Sequence, residues 1–407
     1  MLRLNTVITR RLFTIIVLGS TQTLAWASSY YLPAVLADEM SRDLGLSTNW
    51  IFGIFSASLV LTAVMGPKVG RTIDAWGGNG VLAASNLLFA AGLFLLQLAH
   101  SLPMFAAAWV VMAIGMGLGL YDSAFATLGR LYGTDARGAI TGITLLAGFA
   151  STIGWPLSAW GAATIGWRET CLAWAAVHLF IALPMNWFLL PRPAGTMRAT
   201  MTATMTGATT AARAAADKAI PIDRPMILLA FAFAAAWIVT AGMAAHFPRI
   251  IEATGASPAQ AIAAGALIGP AQVAARLLEA GPLARFHPLV SARLATLTHP
   301  VGAAVILLAG GGVASSAFAI LHGSGNGILT IARGTVPLAL YGPENYGYRL
   351  GILGAPARFL QAGAPLGFSL LIEHIGTGVL LVSSALSLSA CLALCLLRAP
   401  AAPAHAD

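Results

Sequence analysis

The chain has 407 residues, 58% of them hydrophobic and 9% charged, with a mean hydropathy of +0.82. A soluble domain carries about a quarter charged residues, so the composition excludes an ordinary water-soluble enzyme and points to a bundle dissolved in lipid. The net charge of +8 would suit nucleic acid, but the basic residues are distributed loop by loop, which excludes that partner.

Twelve apolar spans are predicted, at 12–37, 48–67, 80–100, 103–128, 138–160, 169–190, 225–247, 258–280, 288–309, 313–338, 350–372 and 375–397. Most reach the length of about twenty residues that crosses a bilayer as a helix. The alternating ten-residue segments of a membrane barrel are absent. Of the 22 Lys and Arg, 17 fall in segments on one side or, as Arg293 and Arg333 do, near the span ends that face it; Arg42, Arg168 and Arg249 fall on the other, and Arg276 and Arg358 deeper within spans. That asymmetry puts both termini in the cytoplasm, and the expected location is a bacterial-type inner membrane. A cleaved leader ending at Ala25-Trp26-Ala27 is the competing reading of the start. It is disfavoured because the apolar run continues to Ala37. The expected organisation is a six-helix bundle at 1–190, a basic low-complexity linker at 191–224, a second bundle at 225–398 and a cytoplasmic tail at 399–407.

In span 1, Gln22, Trp26, Ser29 and Tyr30 share one helix face, so Gln22 and Trp26 are candidate lining residues. Tyr30 and Tyr31 read as interface anchors or an outer gate. After span 2, the stretch from Gly66 to Gly78 reads as a tight turn at the membrane surface, with Gly70, Arg71, Asp74 and Gly77 as its marked residues. In span 4, Asp122 follows Tyr121. Buried there, its carboxylate is either a proton carrier or half of an interhelical ion pair. His246 closes span 7 as a second titratable candidate.

Span 8 carries Arg276 and, one turn on, Glu279. A guanidinium at this depth binds a substrate carboxylate through two bonds, or pairs with Glu279. Span 10 holds Gly323, Gly325 and Gly327 around Asn326, which implies close helix approach or local unwinding. Asn326 then offers a donor and an acceptor to a solute or to another helix, while Arg333 snorkels to the surface. In span 11, Arg358 is a second anion ligand or a partner for Asp122. Cys171, Cys391 and Cys395 match neither a metal spacing nor a disulfide framework, and no cofactor or metal is expected. A phosphate loop needs Gly-Lys-Ser/Thr, and the two lysines, Lys68 and Lys218, stand in no such string. Any transport is therefore driven by a gradient or an exchanged solute, or is passive. A membrane serine protease is the competing class, but in its nearest string, His322-Gly323-Ser324-Gly325, a His stands where the first Gly belongs.

The two halves echo each other. Pro33 and Pro248 end spans 1 and 7, Gly66-Pro67 and Gly281-Pro282 end spans 2 and 8, Tyr132-Gly133 and Tyr341-Gly342 close spans 4 and 10, and Pro156-Leu157 and Pro365-Leu366 sit in spans 5 and 11. Parallel six-helix repeats of this kind build a known carrier architecture.

The Gly70, Asp74, Gly77 skeleton after span 2 resembles the loop between helices 2 and 3 of the major facilitator superfamily, and the repeats extend the resemblance over the whole chain. Arg130, Arg137-Gly138, Pro156-Leu157 and Gly166-Trp167-Arg168 look most like its monocarboxylate and oxalate–formate branch. The resemblance implies an all-α membrane protein of twelve helices in two pseudo-symmetric bundles, acting as a monomer by alternating access. It also implies Arg276 on a substrate carboxylate, and Asp74 latched to the N-terminus of helix 11 near Arg349. The expected function is secondary transport of a small organic anion, with a proton as candidate partner. The alternative is efflux of hydrophobic or cationic compounds, with Asp122 as the cation or proton site.

Overall fold

A long apolar run with its backbone in lipid must satisfy every N–H and C=O internally, which favours helix throughout. In the computed structural model, residues 2–191 and 220–398 are described; linker residues 192–219 and the tail at 399–407 lie outside the described residues. Among the described residues there are sixteen α-helices and no strand. The first nine are α1 (Leu2–Ser28), α2 (Pro33–Leu44), α3 (Thr48–Trp76), α4 (Asn79–Leu98), α5 (Leu102–Gly119), α6 (Tyr121–Tyr132), α7 (Ala136–Ala147), α8 (Ala150–Ile165) and α9 (Trp167–Val177). After these come α10 (Arg224–Ala253), α11 (Pro258–Ala266), α12 (Ile268–Ala280), α13 (Pro288–Ala309), α14 (Gly311–Tyr341), α15 (Tyr346–Ile375) and α16 (Val379–Cys395). Pairing the broken helices α1 with α2, α5 with α6, α7 with α8 and α11 with α12 leaves the twelve rods of an all-α membrane fold.

Eight helical runs are long and apolar enough to cross a membrane. One of them, Leu102–Ile165, has 64 residues. At 1.5 Å per residue it would stretch about 96 Å, three times the thickness of a hydrocarbon core. The break at Gly133–Asp135 folds it into two rods, α5 with α6 and α7 with α8. The rods missing from that set are α11 with α12, α14 and most of α15, whose apolar character is diluted by Arg276, Glu279, His322, Asn326 and Arg358.

The helix ends follow local chemistry. Asp223 caps α10 by accepting from Met226 N at 2.9 Å, with Pro225 in the first turn. Ser257 and Gln260 form a reciprocal capping box at the start of α11. The expected turn at Gly66–Gly78 is mostly helix: α3 runs unbroken through Pro67 to Trp76, and the chain turns only at Gly77, φ 84°. Span 7 likewise continues through Pro248 to Ala253. Glycine explains the extension of α3. A Cβ at Gly70 would meet Gly347 O at 2.0 Å, and one at Gly351 would meet the Gly66 carbonyl carbon at 2.4 Å. Two small-xxx-small faces, Gly66/Gly70 and Gly347/Gly351, thus bring the backbones of α3 and α15 together. α14 does not unwind at its glycines. They admit neighbours instead, Ile268 O against Gly323, Ala295 O against Gly325 and Gln272 O against Gly327.

The described residues form two compact units, one of Met1–Ile220 with Pro343–Ala362, the other of Pro221–Gly342 with Gly363–Asp407. The first half of α15 therefore groups with the N-terminal helices. The first unit is cored by Leu36, Met40, Phe89, Phe105 and Trp109, the second by Phe247, Ile250, Phe318 and Phe368.

Candidate functional site

In the first unit the polar centre is built on the break between α5 and α6. Leu120 is extended there, which orphans the last carbonyls of α5. Gln22 Nε2 donates to Gly119 O at 2.5 Å and Ser123 Oγ to Gly117 O at 3.0 Å, replacing the lost helical bonds. Asp122 lies in the first turn of α6, where the positive helix end favours a carboxylate. Arg358 of α15 reaches it, donating from Nη2 to Asp122 Oδ2 and from Nη1 to Thr62 O at 3.1 Å. The Asp122–Arg358 ion pair is largely buried and neutralises two charges that would each be costly alone. Beside it, Trp26 packs on Tyr121 with centroids 4.9 Å apart and on Tyr30 at 5.1 Å. Gln361 Nε2 donates to Tyr30 Oη at 2.6 Å. Gln22, Trp26, Tyr121, Asp122 and Arg358 therefore converge.

The marked residues at the end of α3 converge on α15. Asp74 Oδ1 accepts from Gly347 N at 2.8 Å and Oδ2 from Tyr348 N at 2.9 Å, one turn past the Gly70–Gly347 approach. Both donors are orphan amides of the first turn of α15, a natural carboxylate site. Arg71 lies 3.9 Å from the centroid of the Tyr348 ring, and Arg349 follows on the same helix.

In the second unit, Arg276 and Glu279 are buried on α12, 5% and 2% exposed. Arg276 sits one turn beyond Gln272, whose carbonyl abuts Gly327. Asn326 accepts from Thr240 Oγ1 at 3.3 Å and lines a cavity of ≈20 Å³ with Thr298, His299 and His322, room for a single water. His246 is half-buried on α10. Arg276, Asn326 and His246 thus belong to the second unit, and Asp122 and Arg358 to the first.

Sequence reasoning passed over two buried networks. His178 joins Ser28 and Asn86 in the first unit, and His299 joins His322 and Ser383 in the second. The available signal was a histidine inside an apolar span, where a polar ring is expensive without partners. The small-xxx-small pair on α3 was read as turn punctuation, and its counterpart Gly347/Gly351 on α15, equally legible as a string, was passed over.

The fold aligns with the crystal structure of the human organic anion transporter MFSD10 (TETRAN) at TM-score 0.73 and 17% identity, covering 95% of this chain and 99% of that one. It aligns with the proton:xylose symporter XylE, bound to 6-bromo-6-deoxy-D-glucose, at TM-score 0.70 and 14% identity, covering 95% of each. Among curated protein sequences no match is found. These likenesses carry the fold and do not single out the monocarboxylate-like branch. The family model of the Major Facilitator Superfamily matches residues 18–318, well over half of the sequence, so the chain belongs to that superfamily and is a multi-pass membrane transporter rather than an enzyme.

Proposed function

We propose that this secondary transporter carries a small organic anion, with Arg276 as the ligand of its carboxylate. The observation that carries the proposal is the burial of Arg276 inside α12, at a position where a guanidinium is retained only for a partner or a substrate. Its always-charged, planar fork suits a carboxylate that must be bound and released without a change of protonation. The similarity to an organic anion transporter supports the same class. Asp122 is engaged by Arg358, which weighs against its serving as the cation site of an efflux carrier.

The cycle is alternating access, with both termini cytoplasmic and the chain acting as a monomer in a bacterial-type inner membrane. Asp74, bound to the first turn of α15, is its latch, with Gly70 and Gly77 shaping the approach and Arg71 and Arg349 flanking it. Asp122 and His246 are candidate proton groups; Gln22, Trp26, Tyr121, Arg358 and Asn326 are candidate lining.

The test is uptake of labelled formate, lactate and oxalate into proteoliposomes by wild type, Arg276→Lys and Arg276→Gln. Loss of a charge-assisted, two-pronged contact of about 1.5–3 kcal/mol lowers affinity roughly 10- to 100-fold in Arg276→Gln, with partial retention in Arg276→Lys. Carboxylate uptake unchanged by Arg276→Gln, or extrusion of ethidium without any carboxylate uptake, would reject the anion reading.

A further inference from the structure

The second unit holds two imidazoles in direct contact. His299 of α13 and His322 of α14 are 4% and 6% exposed, with their Nδ1 atoms 3.0 Å apart. His299 Nε2 lies 2.9 Å from Ser383 Oγ of α16, and Ser383 Oγ donates to Leu380 O at 3.1 Å. Phe318 covers both rings, 5.4 Å from His299 and 5.9 Å from His322.

Two nitrogens at that distance share one hydrogen, so one ring donates and the other accepts. If His322 donates, His299 carries its second hydrogen on Nε2, donates to Ser383, and Ser383 donates on to Leu380 O. His322 Nε2 is then a bare lone pair. If His299 donates, Ser383 turns its hydroxyl toward His299 Nε2, and His322 carries its hydrogen on Nε2. Both arrangements satisfy the bridge, so a proton added at His322 Nε2 can be passed through it by shifting one hydrogen from Nδ1 to Nδ1. The His322 ring lines the cavity that Asn326 and Thr240 also line, where one water fits. Among the described residues its Nε2 makes no hydrogen bond, leaving that water as the donor or acceptor the ring needs.

We infer that the His299–His322 pair is a binding site for a single proton, entered from the cavity beside Asn326. The extra charge is shared across the N–H···N bridge, and a second proton would set two charges 3.0 Å apart in a dry interior. The inference rests on the chain being a carrier with a candidate proton partner, and it places the proton in the second unit rather than on Asp122. The ionisable groups on the elements around the pair are Arg224, His246, Arg249 and Glu252 on α10, Arg276 and Glu279 on α12, and Arg293 on α13. Arg333 and Tyr341 follow on α14, Glu373 and His374 on the part of α15 from Gly363 on that belongs to this unit, and Cys391 and Cys395 on α16; α11 has none. The electrostatic neighbour of His299 is His322. Arg293 is about 9 Å away along the axis of α13, bonded to Leu394 O and Leu397 O, and Arg333 is about 16 Å away along α14, over the Trp237 ring.

The test counts protons and needs no solute. Wild type, His299→Gln, His322→Gln and the double variant are titrated from pH 8 to pH 4 in phosphatidylcholine nanodiscs, with His178→Gln as control. Each single variant and the double variant should bind about one proton fewer than wild type, because neither ring holds the charge without its partner. Equal uptake by all variants, a loss confined to one single variant, or a loss of two protons in the double variant overturns the site. Should the variants not fold, ¹⁵N-histidine spectra of the wild type decide. A scalar coupling between two imidazole nitrogens that changes in one titration step supports the site, and absence of that coupling rejects it. A carrier whose carboxylate uptake ignores Arg276 but whose pair still binds one proton refutes the anion assignment alone.

Discussion

Each unit buries a histidine between helices, and the two rings are used differently. In the first unit His178, which opens a π-helical turn after α9, has Nδ1 2.9 Å from Asn86 Oδ1 and Nε2 2.6 Å from Ser28 Oγ. Asn86 Nδ2 donates to Leu82 O, so its Oδ1 can only accept, and this fixes a hydrogen on Nδ1; Ser28 Oγ, which also reaches Leu24 O at 2.8 Å, takes the Nε2 side. In the second unit His299 meets a hydroxyl and another imidazole, which leaves two hydrogen arrangements open. The same residue type is thus a clamp where an amide oxygen fixes the hydrogen on Nδ1 and a proton site where the Nδ1 partner is itself an ambivalent imidazole. The charged residues differ in parallel: Asp122 and Arg358 close on each other across helices, whereas Arg276 and Glu279 are neighbours along one helix.

The strongest break falls on the closed set. Arg358→Ala leaves Asp122 buried without its counter-charge and should cost about 3–5 kcal/mol, read as a lowered thermal midpoint in detergent. The neutral double variant Asp122→Asn/Arg358→Gln should recover most of that loss; no recovery would mean that packing, not charge, holds the site. His178→Ala strands Asn86 Oδ1 and opens a void against Phe89, 4.8 Å from the ring, for about 2–3 kcal/mol independent of pH. A pH-dependent loss in this variant would erase the contrast with His299.

Asp74→Asn keeps the size of the side chain and one acceptor, but its Nδ2 faces the other amide donor, so one of the two bonds to Gly347 and Tyr348 is lost with the charge assistance, about 2–3 kcal/mol. Folding should persist while cysteine probes placed near the start of α15 become more reactive; unchanged labelling would remove Asp74 as a latch. The smallest effect is expected at Thr240→Val, because the 3.3 Å bond to Asn326 is long and the cavity water can replace it, about 0.5 kcal/mol or less. A larger shift in its thermal midpoint would make Asn326 part of a rigid clamp like that of His178.

Asp74 shows how much of the site was legible. Its approach to the first turn of α15 followed from the resemblance, yet the stretch that carries it was read as a loop and is about the last three turns of α3. The difference lies in Gly66 and Gly70, which look like turn residues locally and act as contact residues once Gly347 and Gly351 are opposite. That His299 and His322 pair was not legible, because nothing local distinguishes His299 from His178.

By itself the sequence determined the solvent and the element type. Transfer to lipid is summed over a window of about twenty neighbouring residues, and any such window in lipid must be helical. Only the tertiary structure decided which polar groups meet, since Asp122 and Arg358 are 236 residues apart and His299 and Ser383 are 84 apart. Those meetings depend on the rotation of each helix and on how closely glycine lets two backbones approach, and neither quantity is written in a local stretch of chain.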